Sequence, residues 1–213
     1  MVCCLLDQVP TLERLRLSSL DPAVIDEALI SALAEYPRLM PHLHLSVQSG
    51  NDMILKRMKR RHNRRNVADL CERIRRVRPD IVFGADLIAG FPTETDEMFE
   101  DTLKLVDEAG LTYLHVFPYS PRDGTPAVNM PQVPISLRKE RSKRLREKGN
   151  NAKAKYFDQL LGSKASVLIE EKGRGYTQHY APVQILQKLE SGCIHRLRIT
   201  GHNDQILSAE LLP

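Results

Sequence analysis

Residues 42–48, HLHLSVQ, decide the fold class because apolar and polar side chains alternate strictly along them. Successive side chains of a strand point to opposite faces, so Leu43, Leu45 and Val47 share one face and the polar residues share the other. In an α/β barrel the outward face of each strand packs beneath helices. We therefore predict that the polar face of this strand points into the barrel.

Working outward from this strand, the chain alternates strands with helices. Strands are predicted at 13–18, 80–88 and 111–117, and helices at 23–35, from Asn63 onward, and at 95–109. Four strands separated by helices predict a parallel sheet with right-handed crossovers. Polar or potentially ligand-binding residues share the inward faces: Arg16 and Ser18, His42 and His44, Gly84, Asp86 and Ile88, and Tyr113, His115 and Phe117. Burying such a set is costly unless it binds something, so we expect a ligand site near the carboxyl ends of the strands.

After residue 128 the pattern changes. Pro131 and Pro134 precede a long basic helix at 135–159, and five short strands follow, separated by glycines. We predict a partial α/β barrel at 1–128, a linker and helix at 129–160, and a small antiparallel, OB-like β-barrel at 161–213.

The composition is that of an ordinary globular protein. The 213 residues include 31 Lys+Arg and 27 Asp+Glu, a net charge of +4, and 42% hydrophobic residues. No stretch reaches the roughly 18 apolar residues of a membrane span, and no secretory signal is visible, so we expect a cytoplasmic protein without a membrane partner. The four cysteines (Cys3, Cys4, Cys71 and Cys193) form no CxxC pair, which predicts neither a disulfide framework nor a metal site.

The positive charge is concentrated in two segments, 56–65 and 138–148. A run of this kind is often only a solvated helix face. Two such runs in one chain favour a polyanionic partner, most commonly a nucleic acid. From the second run we take five candidate RNA-binding residues: Arg138, Arg141, Lys143, Arg144 and Lys148.

Other polar residues have two interpretations each. His42 and His44 share a strand face and could bind a metal, but no further ligand is arranged to complete a shell, so hydrogen-bonded barrel histidines are favoured. Asp86 could contact a ligand or be satisfied by backbone donors. Gly90 could allow close approach of a ligand or form a plain turn.

Three motifs carry a family resemblance. HLHLSVQSGNDMILKRMKRRHN (42–63), DIVFGADLIAGFPTETDEMFEDTL (80–103) and YLHVFPYSPRDGTPA (113–127) together resemble the radical S-adenosylmethionine tRNA methylthiotransferases. The third motif is similar to the subgroup that acts on threonylcarbamoyl-adenosine beside the anticodon. Residues 162–211 are similar to the RNA-binding TRAM domain of that family.

The resemblance implies two cofactors, S-adenosylmethionine and [4Fe–4S] clusters, and tRNA as the partner. It places eight residues at the S-adenosylmethionine site: Ser46, Gln48, Ser49, Asp86, Ile88, Gly90, Phe117 and Tyr119. The family's cluster-binding cysteine loops have no match here, so we assign no catalytic and no metal-binding residue, and we expect no stoichiometric cluster on this chain.

The resemblance therefore implies the C-terminal part of a methylthiotransferase that is inactive alone. The chain would be a fragment, a frameshift product, or half of a split enzyme whose missing strands come from a separate chain. The main alternative is a non-catalytic tRNA-binding module. A third, weaker hypothesis is an unrelated barrel enzyme that uses His44 and Asp86 in acid–base catalysis.

Overall fold

A computed structural model describes residues 1–171 and 173–212. Its first part is a parallel sheet of four strands in the order β1-β2-β3-β4, and its last part is a closed barrel of five strands. The sheet strands are β1 (Leu15–Leu20), β2 (Leu39–Gln48), β3 (Val82–Ala89) and β4 (Leu111–Pro118). The helices are α1 (Val2–Gln8), α2 (Glu27–Glu35), α3 (Asp52–Arg57), α4 (Arg64–Val77), α5 (Asp96–Glu108) and α6 (Ile135–Leu160).

The alternation in β2 produces the predicted division of faces. Leu43, Leu45 and Val47 are fully buried beneath the helices, whereas His44 and Ser46 are half-buried on the other face. Side-chain caps fix where the flanking helices begin: Asn63 forms a capping box at α4, and Thr95 accepts a hydrogen bond from the Met98 amide at α5. The predicted parallel α/β sheet is confirmed.

The face prediction was wrong for one residue of β1. The pairing of β1 with β2 has two register irregularities, the second between Leu17 and Leu20. A bulge of this kind reverses the alternation, because side chains on a strand repeat with period two. Ser19 rather than Ser18 therefore faces the polar side, where its hydroxyl lies 2.8 Å from that of Ser46.

The small barrel closes in the order β5-β6-β7-β9-β8. Its strands are β5 (Lys164–Glu171), β6 (Arg174–Thr177), β7 (Pro182–Ile185), β8 (Ile194–His202) and β9 (Leu207–Leu211). Val167, Val183 and Leu197 are fully buried in its core. The barrel is mixed rather than wholly antiparallel, because β7 and β9 run parallel; an odd number of strands cannot close with every neighbour antiparallel.

Cationic and aromatic side chains join the small barrel to the open edge of the sheet. The Arg14 guanidinium donates to the Ser166 hydroxyl at 2.8 Å, and that of Arg16 lies 4.5 Å from the Tyr180 ring centroid. His42 is buried between Tyr113 and Tyr180, and desolvation, followed by the nearby Arg16 charge, lowers its pKa to about 3. This junction covers part of the edge strand β1.

Among the described helices, none combines the length and the apolar character needed to cross a bilayer.

Candidate functional site

A cleft of about 710 Å³ opens at the carboxyl ends of β2, β3 and β4. Parallel α/β sheets place their ligands at this end of the strands. The lining residues come from the strand ends, from α3 and the segment after it, and from residues 118–130: Gln48, Arg57, Met58, Lys59, Arg60, Asp86, Ile88, Phe91, Phe117, Pro118, Tyr119, Ser120, Arg122, Thr125, Pro126, Ala127 and Met130.

Gln48, Asp86 and Ile88 form the floor of the cleft, to which Gln48 and Asp86 contribute polar groups. Asp86 and Ile88 are two residues apart on β3 and therefore share its inward face. Gln48 ends β2 with a φ of 72°, in the left-handed region, and the register with β3 shifts at this point. A glutamine in this conformation is uncommon, and such backbone is found at ligand sites more often than elsewhere.

Aromatic rings form one wall of the cleft. The Phe91 and Tyr119 rings meet edge to face, with centroids 5.2 Å apart. Phe117 is 52% exposed, which is unusual for a phenylalanine at a strand end unless a partner covers it. The Tyr119 hydroxyl is buried and has no hydrogen-bond partner among the described residues. This wall offers a flat apolar face, with the Tyr119 hydroxyl buried behind it.

Cations form the rim. Arg57, Lys59, Arg60 and Arg122 line the cleft, and Asp86 is the only carboxylate among the described residues that line it. Arg60 approaches Asp21 at 3.9 Å, and one Arg57 nitrogen is buried without a partner among the described residues. The rim therefore favours an anionic ligand. The sequence identified 56–65 as a basic segment, but it did not predict that Arg57, Lys59 and Arg60 lie at the cleft.

Five of the eight residues predicted for the cofactor line this cleft: Gln48, Asp86, Ile88, Phe117 and Tyr119. Ser46 precedes Gln48 by two residues on β2 and does not line the cleft; its hydroxyl contacts that of Ser19. Ser49 does not line the cleft: it is fully buried, lies 3.4 Å from the Thr102 hydroxyl and accepts a hydrogen bond from the Asn51 amide.

Gly90 does not line the cleft either. Its amide donates to Glu94 at 2.8 Å, its φ is +74°, and a Cβ at this position would lie 2.6 Å from the Arg138 side chain. The glycine therefore leaves space for an arginine of α6.

Arg138 and Arg141, two of the residues predicted to bind RNA, are both buried. Arg138 donates to the Val133 and Tyr119 carbonyls. Arg141 is 2% exposed and donates to Glu94 at 2.9 Å and to Asp96 at 2.6 Å. Buried guanidinium groups with several acceptors hold α6 against α5 and the β3–α5 turn, and they are inaccessible to a phosphate.

The other three predicted RNA contacts lie nearer the surface and each has an acidic neighbour. Arg144 pairs with Glu100 and Lys148 with Asp107, both on α5, and Lys143 approaches Glu147 on its own helix at 3.8 Å. Their predicted role in RNA binding stays a prediction. Arg144 and Lys148 therefore pair with α5, whereas Lys143 and Glu147 are exposed to solvent.

His44, Asp86 and His115 converge on the polar face of the sheet. The His44 Nε2 atom lies 2.9 Å from an Asp86 oxygen, and the His115 Nδ1 atom lies 3.4 Å from the same oxygen. The sequence placed all three on inward faces, but the pairing considered there was His42 with His44. The missing signal was strand register, which brings β3 and β4 together at Asp86 and His115.

The four cysteine thiols, in contrast, do not converge on one point. Cys3 and Cys4 are adjacent on α1, Cys71 is buried on α4, and Cys193 lies beside the small barrel. Within residues 1–171 and 173–212, no group of potential metal ligands includes a cysteine. As placed here, these thiols do not fit a cluster that needs three converging thiolates.

Comparisons with known proteins agree with this geometry. The sequence profile of the Radical SAM superfamily matches residues 11–106. The chain is 50% identical over 212 residues to "Threonylcarbamoyladenosine tRNA methylthiotransferase MtaB" of Rickettsia prowazekii, covering 100% of this chain and 50% of that protein. It is 39% identical over 213 residues to "tRNA-2-methylthio-N(6)-dimethylallyladenosine synthase" of Ruegeria pomeroyi, covering 97% of this chain and 48% of that protein.

Among solved structures, coproporphyrinogen III oxidase (HemN) of Escherichia coli, described as a radical SAM enzyme, matches with a TM-score of 0.51 at 21% identity. The match covers 63% of this chain and 32% of that one, and it shows the fold alone. The chain spans about half the length of the curated relatives it matches. Residues 11–106 are therefore similar to the Radical SAM superfamily, and the chain as a whole is similar in sequence to the two bacterial proteins named as a tRNA methylthiotransferase and a tRNA-2-methylthio-N(6)-dimethylallyladenosine synthase.

Proposed function

We propose that this chain forms the cofactor- and tRNA-binding part of a methylthiotransferase that acts on threonylcarbamoyl-adenosine. The observation that carries the proposal is the cleft at the strand ends, which contains five of the residues predicted for the cofactor. Three of them (Gln48, Asp86 and Ile88) lie within residues 11–106, which match the Radical SAM superfamily. The choice of modified nucleoside rests on the name of the Rickettsia relative, which is half identical along the whole chain.

The cleft suits S-adenosylmethionine in its chemistry. A purine ring can stack on Phe117, whose exposed face has no partner among the described residues. Asp86 and Gln48 offer a carboxylate and an amide to ribose hydroxyls or to the methionine ammonium group. The Tyr119 hydroxyl supplies a further buried hydrogen-bonding group. S-adenosylmethionine, when bound, supplies a methyl group at this site.

The rim suits RNA. Arg57, Lys59, Arg60 and Arg122 surround the opening of the cleft, and phosphates favour clustered cations of this kind. In this arrangement the adenine to be modified enters the cleft while its flanking phosphates remain on the rim. The small β-barrel would contact a more distant part of the tRNA.

No step of the reaction is assigned to the cysteines of this chain, because the thiols do not converge. We therefore propose that the chain does not modify tRNA when it is alone. The same observation favours the second candidate function, a tRNA-binding module without chemistry. The two candidates differ in whether the cleft binds S-adenosylmethionine.

Equilibrium dialysis against S-adenosylmethionine tests the difference. We expect the chain to bind one equivalent, and Phe117→Ala to weaken binding at least about fivefold, because stacking of a base on an aromatic ring contributes roughly 1–3 kcal/mol. Leu186→Ala is the control, since Leu186 is 97% exposed beyond β7 and far from the cleft in the chain. Absence of binding by the unaltered chain would support the binding module and reject the cofactor site.

A further inference from the structure

His44, Asp86 and His115 lie on three neighbouring parallel strands. Asp86 is in direct register with His115, and His44 is in register with Gly84, two residues before Asp86 on the same face. The three side chains therefore project from the polar side of the sheet toward one point. The cofactor proposed for the cleft accounts for Asp86 but uses neither histidine.

The distances are those of a ligand set. His44 Nε2 lies 2.9 Å and His115 Nδ1 lies 3.4 Å from the same Asp86 oxygen, and the two imidazole rings have centroids 4.5 Å apart. Zinc bonds of about 2.0–2.1 Å place the ligand atoms of a tetrahedral site roughly 3.3 Å apart. The three donor atoms can therefore contact one ion with only small side-chain movements.

The surrounding residues hold this arrangement in place. Gly84 leaves the space that the His44 ring occupies, because a Cβ at residue 84 would lie 2.5 Å from the His44 Nδ1 atom. The ring therefore lies across the strand with its Nε2 edge toward Asp86. The second Asp86 oxygen lies 3.5 Å from the Ser19 hydroxyl, which in turn contacts Ser46. Outer contacts of this kind orient ligands in metal sites.

We propose that His44, Asp86 and His115 bind a divalent transition-metal ion, with Zn²⁺ as the best-suited probe. Two imidazoles and one carboxylate are a ligand set of mononuclear zinc and non-haem iron sites, and imidazole disfavours Mg²⁺ and Ca²⁺. Three protein ligands leave at least one coordination position open. The group borders the cleft through Asp86, and the His115 side chain is 62% exposed, so the open position is accessible from outside the sheet.

An oxygen or carboxylate ligand from a molecule in the cleft can fill the open position. The competing interpretation is a hydrogen-bonded His–Asp–His cluster without a metal. The two differ in stoichiometric metal affinity, which can be measured without S-adenosylmethionine, tRNA or catalytic activity.

The test uses the full chain carrying Cys3→Ser and Cys4→Ser, so that the α1 thiols cannot bind zinc. Isothermal titration with Zn²⁺, and the visible absorption of the Co²⁺ complex, should show one ion per chain. His115→Ala should weaken binding by at least about tenfold, because it removes one ligand from the ion. His115 is largely exposed, so the variant should fold, which circular dichroism checks.

His202→Ala is the matched control. His202 also contacts two carboxylates, but it reaches Asp158 through Nε2 at 3.0 Å and Asp204 through Nδ1 at 3.5 Å, so its partners lie on opposite edges of the ring. This variant should retain the ion. Unchanged zinc binding by both His115→Ala and His44→Ala, or no zinc binding by the parent chain, would overturn the proposal. Phe117→Ala should leave zinc binding intact, which separates failure of the metal site from failure of the cofactor site.

Discussion

Cys71 shows how burial makes a single thiol unreactive. It is 0% exposed on the inner face of α4, and burial raises the pKa of its thiol to about 12. Only the thiolate reacts with electrophiles or binds a metal, so this cysteine is neutral and inert at physiological pH. Cys4, in contrast, is exposed on α1.

Alkylation of the native chain tests this description. Iodoacetamide at about pH 8 should modify Cys4 within the time in which Cys71 remains unmodified, because a buried thiol with a raised pKa supplies almost no thiolate. Denaturant should make Cys71 react as well. Peptide mass spectrometry measures both sites in one sample, and modification of native Cys71 at the rate of Cys4 would contradict the burial.

The sequence predicted the positions of some residues of the site but not of others. The strand period of two placed Asp86, Ile88 and Phe117 on the inward face, and all three line the cleft. Ser49 and Gly90 follow strand ends, where the period no longer applies and local hydrogen bonds decide the direction of the chain. His115 needed the register between β3 and β4, which one sequence does not contain.

At the scale of elements, one side of α6 packs against α5 and the β3–α5 turn, and the other side faces solvent. Arg138 and Arg141 bind acceptors beneath the helix, whereas Lys143 points outward and is 77% exposed. Charge density along the sequence could not separate these residues, because it records the number of cations and not their acidic partners. Glu94 is the partner in question, a carboxyl whose pKa is raised by desolvation even though the Gly90 amide and Arg141 oppose the shift.

Removing the Arg141 charge should destabilise the fold strongly. We expect Arg141→Met to lower the free energy of unfolding by about 3–5 kcal/mol, because it leaves Glu94 buried without its cation. Lys143→Met, a matched change at an exposed position of the same helix, should alter it by less than about 1 kcal/mol. Urea unfolding of both variants measures the difference.

The double variant Arg141→Met with Glu94→Leu provides a second control. It should recover most of the loss, since a buried pair replaced by apolar residues often costs little. Equal stability of the Arg141→Met and Lys143→Met variants would show that Arg141 is not part of a buried ion pair.

At the scale of the whole molecule, the alternation of strands and helices and the short glycine-bounded strands predicted both parts of the fold, and both are confirmed. The contact between them could not be predicted, because it depends on single side chains such as Arg14 and Arg16 that cross from β1 to the small barrel. The structure also shows which of the positive charges have acidic partners. Arg141, Lys143, Arg144 and Lys148 of α6 have acidic partners, whereas the described lining of the cleft holds four cations and one carboxylate.

We infer that nucleic acid binds at the cleft, in contrast to the RNA contacts predicted from the sequence at Lys143, Arg144 and Lys148 of α6. Titration of tRNA at several salt concentrations tests it most directly, with Lys59→Glu/Arg122→Glu at the rim compared with Lys139→Glu/Lys143→Glu on the exposed side of α6. The rim variant should lose at least about tenfold in affinity and reduce the salt slope by about 2, because each phosphate contact contributes roughly one unit. The α6 variant should stay within about threefold of the parent chain. A larger loss in the α6 variant than in the rim variant would contradict the placement of RNA at the cleft.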